Sequence, residues 1–141
     1  MTAKQYLQQL FFIKQMIFES LQELKELRSL ALSIGAVDNS KEKIKSLSVS
    51  DTVGSSVAVI VDLENTIKDK ITSYKKTKLE IEDNIGKILE VKVKIVLLKR
   101  YVYYKDFDDI AHDLNYHVQH IFKLHSQGLR EIEKMLVNAS N

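Results

Sequence analysis

The sequence contains no proline, no cysteine and no tryptophan, and it has only four glycines. Because proline interrupts helix interiors and glycine weakens them, this scarcity allows long unbroken helices. The absence of cysteine excludes disulfide bonds, thiol catalysis and every zinc site built on thiolate ligands. Hydrophobic residues make up 45% of the 141 positions, which is enough to build a core. These features predict one domain, or one small domain on a helical stalk.

Long apolar runs are also missing. Nothing approaches the roughly 18 consecutive apolar residues that a membrane span needs. The N-terminal segment does not have the pattern of a signal peptide, because Lys14 and Gln15 interrupt its apolar residues and no small-residue cleavage site follows. We therefore expect a cytoplasmic protein with no membrane partner.

Charge of one sign is not concentrated anywhere in the chain. The formal net charge is +2, and residues 99–141 carry six basic side chains against six acidic ones. An affinity for nucleic acid must therefore come from geometry and oligomerisation rather than from bulk charge. No glycine-rich phosphate loop, zinc-protease motif or nucleophile elbow is present. We expect no enzyme activity, no cofactor and no small-molecule substrate.

Residues 3–34 carry apolar side chains at steps of three and four, which predicts one amphipathic helix. Gly35 is a typical helix stop, and the serine-rich stretch 36–54 has no sustained period, so a loop is expected there. A second helix is expected to begin near Ser55 and to break near Gly86. The apolar seams comprise Tyr6, Leu10, Ile13, Ile17, Leu21, Leu24, Leu27, Ala31 and Ile34 in the first helix, and Val57, Ile60, Ile67, Ile71, Tyr74, Ile81, Ile85 and Ile88 in the second.

Two long helices joined by a loop fold back antiparallel most simply, so residues 1–86 are expected to form a helical hairpin. The second seam also has the coiled-coil period, which favours association of two chains into a homodimer. The alternative is that both seams form the core of a monomeric bundle. Residues 87–104 are expected to form a third helix, with a buried strand as the alternative because β-branched residues are frequent there.

The stretch Phe107–Ser126 has the residue pattern of a helix-turn-helix, in which two helices cross closely around a tight turn. Asp106 can cap the first helix, and Ala111 is small enough for the crossing. Asn115 falls at the turn, where a residue must tolerate positive φ. A plain helical hairpin is the alternative. The core of the motif comprises Ile110, Ala111, Leu114, Asn115, Val118, Ile121 and Leu124.

If the motif is a helix-turn-helix, the outward face of its second helix is expected to contact double-stranded DNA. Gln119 could bond adenine at two positions, Lys123 could reach a guanine or a phosphate, and Tyr116 could donate to a phosphate. Phe122 could touch a thymine methyl group or pack on another helix. An ordinary solvated helix face is the alternative. The candidate DNA-binding residues are Tyr116, His117, Gln119, His120, Lys123, Lys105 and Arg100.

The four histidines, His112, His117, His120 and His125, raise the question of a metal site. Their spacing places only His117 and His120 on one helical face, and no cysteine joins them. We therefore expect no metal.

The C-terminal segment contains a series of short motifs: Leu98–Tyr101, Asp109–Ala111, Leu114–Tyr116, Leu124–His125 and Leu129. With these motifs the segment resembles the corresponding region of phage and prophage regulators of the ArpU/RinA type in Gram-positive bacteria, which are themselves similar to region 4 of sigma factors. MTAKQYLQQL and AVIVDLENTI are similar to the same group, so the resemblance covers most of the chain. At the position of Phe107 the family usually has a tryptophan-like aromatic residue. It often has arginines where this chain has His117, Gln119 and His120, which leaves the target sequence open.

The residue patterns together predict an all-α fold in which two long antiparallel helices precede a helix-turn-helix over residues 87–141. The resemblance implies a sequence-specific transcriptional regulator of late phage genes for packaging or lysis, acting in a bacterial cytoplasm, with RNA polymerase as a candidate partner. One alternative is a helical protein-interaction module whose helix-turn-helix does not bind DNA, with RNA polymerase or another host protein as its partner. Another is a DNA-packaging subunit of the small-terminase type, which would assemble as a ring.

Overall fold

The computed structural model of the chain describes residues 1–38 and 44–140, and side chains over 1–33 and 54–140. Within this part the protein is all-helical and contains no strand, which confirms the predicted fold class at that level. No helix in the described part is both long enough and apolar enough to cross a membrane. The elements are α1 (Ala3–Asp38), α2 (Ile44–Gly86), α3 (Val91–Leu97), a π-helix (Leu98–Val102), α4 (Phe107–Leu114) and α5 (Val118–Ser140).

The two long helices extend beyond their predicted bounds. The prediction of a loop over 36–54 is wrong at both ends, because 36–38 belong to α1 and 44–54 belong to α2. Residues 39–43 lie outside the described part. Gly35 does not end α1, and Gly54 lies inside α2. A glycine in a helix interior costs only about 1 kcal/mol, so a single one is tolerated where no proline interrupts the backbone.

The segment after α2 is helical rather than extended, but it is shorter than the predicted helix. The helix α2 ends at Gly86, where a break was expected, and α3 begins only at Val91. Between them the N–H of Ile88 donates to the carbonyl of Ile85 over 3.1 Å, and the Ile88 side chain is buried. The π-helix then widens the last turn of α3, and Tyr104 adopts φ 58°, an uncommon value outside glycine.

The chain divides into two compact units that do not coincide with a boundary between 86 and 87. The first unit combines residues 1–14 with 74–141. Its core contains the start of α1, the end of α2 and the three C-terminal α-helices, and Asn84 Nδ2 of α2 donates to Tyr6 Oη of α1 over 2.6 Å. The fully buried large side chains of this unit are Leu7, Leu10, Ile81, Ile85, Val93, Val96, Leu97, Ile110, Ile121 and Ile132.

The second unit, Gln15–Ser73, contains parts of α1 and α2 paired as an antiparallel hairpin. Lys70 Nζ donates to Ser20 Oγ over 2.8 Å, and Arg28 Nη2 contacts Glu64 Oε1 at 2.8 Å. Residue numbers therefore rise along one helix as they fall along the other, which is the antiparallel pairing that the sequence predicts.

The seam of this hairpin differs from the predicted seam at three positions. Leu21 is 42% exposed and Ser20 is buried in its place, while Ile71 is exposed and Lys70 is partly buried. In each helix the position that faces the partner helix lies one residue before the predicted one and holds a polar side chain. A polar residue is accepted there because the hydrogen bond between Lys70 and Ser20 satisfies both groups at the helix contact. The predicted seam residue Val57 is also exposed.

Candidate nucleic-acid interface

Local signals in the sequence define the start of α4. Asp106 precedes the helix with extended backbone angles, and its Oδ1 accepts a hydrogen bond from the N–H of Asp109 over 2.8 Å. This bond satisfies one of the backbone donors that a helix start leaves unpaired. Asp108 and Asp109 add negative charge in the first turn, which the helix dipole favours.

Asn115 ends α4 in the left-handed conformation, with φ 57° and ψ 43°. The N–H of Tyr116 donates to the carbonyl of Ala111 over 2.9 Å, and that of Asn115 donates to His112 over 3.2 Å. Asparagine tolerates this backbone conformation better than most residues with a side chain. The turn therefore has the conformation that the sequence expects at Asn115.

His117 opens α5 in a way that the sequence did not predict. Its carbonyl accepts from the N–H groups of His120 and Ile121, and its Nδ1 accepts from the N–H of Gln119 over 3.2 Å. The imidazole therefore caps the helix. A neutral ring that accepts at Nδ1 carries its proton on Nε2, so His117 presents an exposed N–H donor at the start of α5.

Six of the seven residues assigned to the core of the motif lie between α4, α5 and the rest of the first unit, whereas Asn115 is exposed at the turn. Ile110 and Ile121 are fully buried, Ala111 and Leu124 are nearly so, and Leu114 and Val118 are half-buried.

Gly128, for which the sequence predicts no role, brings α5 close to α3. A Cβ built at Gly128 would lie 2.8–3.0 Å from three side-chain atoms of Leu97, which is fully buried. A glycine is thus the residue that fits this crossing without a shift in the core. A partner 31 positions away in sequence leaves no local signal.

The outward face at the start of α5 gathers most of the predicted DNA-binding residues. His117, Gln119 and Lys123 are exposed, whereas Tyr116 and His120 are half-buried. The rings of Tyr116 and His120 meet edge to face at 4.9 Å between centroids. We call the surface formed by Tyr116, His117, Gln119, His120 and Lys123 the α5 polar face.

A lysine from another helix reaches the α5 polar face. Lys92 of α3 holds its ammonium 5.4 Å from the centroid of the Tyr116 ring. This distance is within the range of a cation–π contact. Lys92 adds positive charge beside the start of α5. It is 24 residues from Tyr116, so no local pattern predicts this contact.

Lys105 and Arg100 are not part of the α5 polar face; they lie with Lys99 and Asp113. Lys105 Nζ and Lys99 Nζ lie 2.6 and 3.1 Å from the same carboxylate oxygen of Asp113, and Arg100 Nη1 donates to the carbonyl of Lys105 over 3.1 Å. These hydrogen bonds hold the pKa of Asp113 below its usual value and raise the pKa of Lys105. Two ammonium groups therefore share one carboxylate. The sequence did not single out Asp113.

Phe122 packs on α4, one of the two roles that the sequence left open. Its ring meets Phe107 edge to face at 5.2 Å, although the side chain remains 41% exposed. The guanidinium of Arg100 lies 4.4 Å from the centroid of the Phe107 ring. Phe107 therefore fixes both the position of Arg100 and the orientation of Phe122.

His125 is partly buried against Tyr101. Its Nε2 lies 2.7 Å from Tyr101 Oη, and its ring stacks on that of Tyr101 at 5.6 Å. Burial lowers the pKa of His125 to about 4, with further lowering by the positive charges of Arg100 and Lys4. The imidazole is therefore neutral at neutral pH and acts as a structural group.

No three His, Asp or Glu side chains in the described part of the chain are placed to hold a metal ion together. What the geometry offers is a short, capped helix and a sharp turn, followed by a long helix whose first turns expose amide, imidazole and ammonium groups. Such groups donate to anions and to the acceptors on base edges. Comparison with known protein families, with curated proteins and with solved structures finds no match to this chain.

Proposed function

We propose that α4 and α5 form a helix-turn-helix, similar to region 4 of sigma factors, that reads double-stranded DNA, and that the protein is a sequence-specific regulator of transcription. The observation that carries the proposal is the left-handed turn at Asn115 between a helix capped by Asp106 and a helix capped by His117. In a helix-turn-helix, residues at the start of the second helix enter the major groove. Here that start carries the α5 polar face.

Each exposed member of the face has a chemical role in this reading. Gln119 presents an amide that can bond the N6 and N7 positions of adenine together. Lys123 can reach a guanine or a phosphate one turn further along. The Nε2–H of His117 can donate to a base acceptor or to a phosphate while its Nδ1 continues to cap the helix.

Tyr116 and His120 are only half-buried and contact each other, so they are held in place before DNA arrives. The hydroxyl of Tyr116 is proposed to donate to a phosphate, with the ammonium of Lys92 beside it. Arg100 and Lys105 are proposed to contact the backbone beside α4, where a phosphate would compete with Asp113 for Lys105.

The resemblance to regulators of the ArpU/RinA type supports the biological part of the proposal. On that basis the protein is phage-encoded, works in a bacterial cytoplasm and controls late genes for packaging or lysis. Contact with RNA polymerase would then convert DNA binding into regulation.

The proposal is tested by selecting bound duplexes from a random-sequence library with the full chain. We expect a consensus to emerge, because Gln119 and His117 read base edges. In the Gln119→Ala variant, the preference for one adenine is expected to be lost while the remaining positions persist. Retention of the whole consensus by Gln119→Ala would contradict the assignment of this face, and failure to select any sequence with the wild type would contradict the proposal.

A second candidate function is a protein-interaction module that keeps the same helices without binding DNA. The observation that favours it is the sharing of one carboxylate by Lys99 and Lys105, which reduces the positive charge available to a phosphate backbone. RNA polymerase is the first partner to test. This reading predicts no selected consensus, together with binding to purified polymerase that is lost when the exposed Phe122 is replaced by glutamate.

A further inference from the structure

In the unit formed by residues 15–73, the side chains that the structure describes bury very little apolar surface. Among its described side chains only Leu24, Ile67 and Ser20 are buried, whereas nine large hydrophobic residues are exposed. A two-helix hairpin with one seam is marginal in water, since helices of this kind gain most of their stability from packing an apolar face. The unit therefore has apolar surface to bury against another surface.

Five of the nine exposed hydrophobic residues lie on one flank of the hairpin. With about 3.6 residues per turn, Leu21 and Leu32 fall on the flank of α1 that carries Arg28. By the same geometry, Val57, Val61 and Ile71 fall on the flank of α2 that carries Glu64. Because Arg28 and Glu64 are bonded at 2.8 Å, the two flanks lie on the same side of the hairpin. We call this surface the apolar flank; its members are Leu21, Leu32, Val57, Val61 and Ile71, which are 36–75% exposed.

The order of layers along the apolar flank is self-complementary. From the antiparallel register, Leu21 and Ile71 share one layer, the Arg28–Glu64 ion pair occupies the middle, and Leu32 lies at the level of Val57 and Val61. The order of the layers (apolar, ion pair, apolar) is therefore the same when the surface is followed from either end. A two-fold axis places the same patch on both partners, so apolar layers meet apolar layers and the central ion pairs face each other.

From these observations we infer that the apolar flank is the contact surface for a second copy of this chain, and that the protein is a dimer through residues 15–73. Three members of the flank, Leu21, Val57 and Ile71, belong to the seams that the sequence indicated. The seam residues Leu24 and Ile67 are already buried within one hairpin and are not part of this contact. The inference stands independently of DNA binding.

Three valines in α2 supply a matched test. Val57, Val59 and Val61 are each about half-exposed, but Val59 lies on the opposite flank. Sedimentation equilibrium of the full chain is expected to give twice the 16.3 kDa of one chain for the wild type and for Val59→Glu. The double variant Val57→Glu/Val61→Glu is expected to give the mass of one chain. Glutamate has a higher helix propensity than valine, so helicity measured by circular dichroism is expected to persist.

A second pair tests the other apolar layer. Leu21→Glu/Ile71→Glu is expected to sediment as a monomer, whereas Leu30→Glu, on the opposite flank of α1, is expected to remain a dimer. The inference is overturned if the wild type is a monomer, which would assign the flank to a different protein. It is equally overturned by a ring-sized mass, by dimers that survive both double variants, or by controls that dissociate as readily as the flank variants.

Discussion

At the scale of single residues, Asn115 has the largest effect on the geometry of the candidate site. Its left-handed backbone reverses the chain between α4 and α5, and thereby sets where the α5 polar face begins. This conformation costs residues with a Cβ roughly 1–2 kcal/mol, whereas it costs glycine almost nothing. Asparagine lies between these limits because its short polar side chain is tolerated there.

We therefore expect Asn115→Ala to lower the free energy of unfolding by about 1 kcal/mol. Asn115→Gly is expected to leave it nearly unchanged. Urea denaturation followed by circular dichroism measures both values. If alanine proved as stable as glycine, the turn would not need a left-handed residue, and the geometry described for α4 and α5 would be wrong.

His125 makes the stability of the fold depend on pH. Its pKa is about 4 in the folded protein and near 6.5 in an unfolded chain. The unfolded state therefore binds more protons between these values, and stability is lost as pH falls from 6.5 to 4. After allowance for partial exposure, we expect a loss on the order of 1–2 kcal/mol.

The measurement is the unfolding free energy of the wild type and His125→Gln across that pH window. The variant is expected to be less stable at pH 7, because it loses the contact with Tyr101, but to depend less on pH. The exposed His112 offers a control, and His112→Gln is expected to keep the wild-type dependence. Equal slopes in the wild type and His125→Gln would contradict the role given to burial.

At the scale of elements, the close approach of α3 and α5 depends on Gly128. Alanine gains about 1 kcal/mol in helix propensity over glycine, but its Cβ would overlap Leu97 in a filled core. Overpacking of this kind costs roughly 1–3 kcal/mol. We expect Gly128→Ala to lower the melting temperature, whereas Gly54→Ala, where nothing lies within 4 Å, is expected to raise it or leave it unchanged. A rise with Gly128→Ala would mean that the crossing is looser than described.

The elements that sequence reasoning placed well are those with signals close in the chain. The cap at Asp106 and the turn at Asn115 depend on residues three to five positions apart, so the sequence contains the full cause. The error over 36–38 and 44–54 arose from treating serines and glycines as breaks, although each costs a long helix little. The break between Gly86 and Val91 was only partly expected.

Long-range partners account for the rest of what the sequence could not give. Asp113 forms ion pairs with two lysines, Ser20 takes the place of Leu21 in the seam, and Gly128 lies against Leu97. Each of these contacts exists only because the fold brings distant residues together. Apolar periodicity alone assigns the larger hydrophobic residue to the interior. It does not predict that a lysine of the facing helix will form a hydrogen bond with a buried hydroxyl.

At the scale of the whole molecule, the two proposed functions belong to two different surfaces. The α5 polar face is proposed to read DNA, and the apolar flank is inferred to join two copies. Two copies can then present two reading helices to half-sites about 10 base pairs apart or at multiples of that spacing. With a net charge of only +2, a single copy has little electrostatic attraction to DNA, and joining two copies doubles the number of phosphate contacts.

The most direct measurement is the salt dependence of binding to a duplex carrying the selected site, for the wild type, Lys123→Ala and Lys134→Ala. Lys134 is in the same helix, roughly 16 Å beyond Lys123 at 1.5 Å per residue, and contacts Glu131 at 3.3 Å. We expect the logarithm of affinity to fall linearly with that of salt concentration. The slope is expected to be smaller by about 0.9 per chain for Lys123→Ala and unchanged for Lys134→Ala. Equal slopes for all three proteins, or no binding at low salt, would contradict DNA recognition by this face.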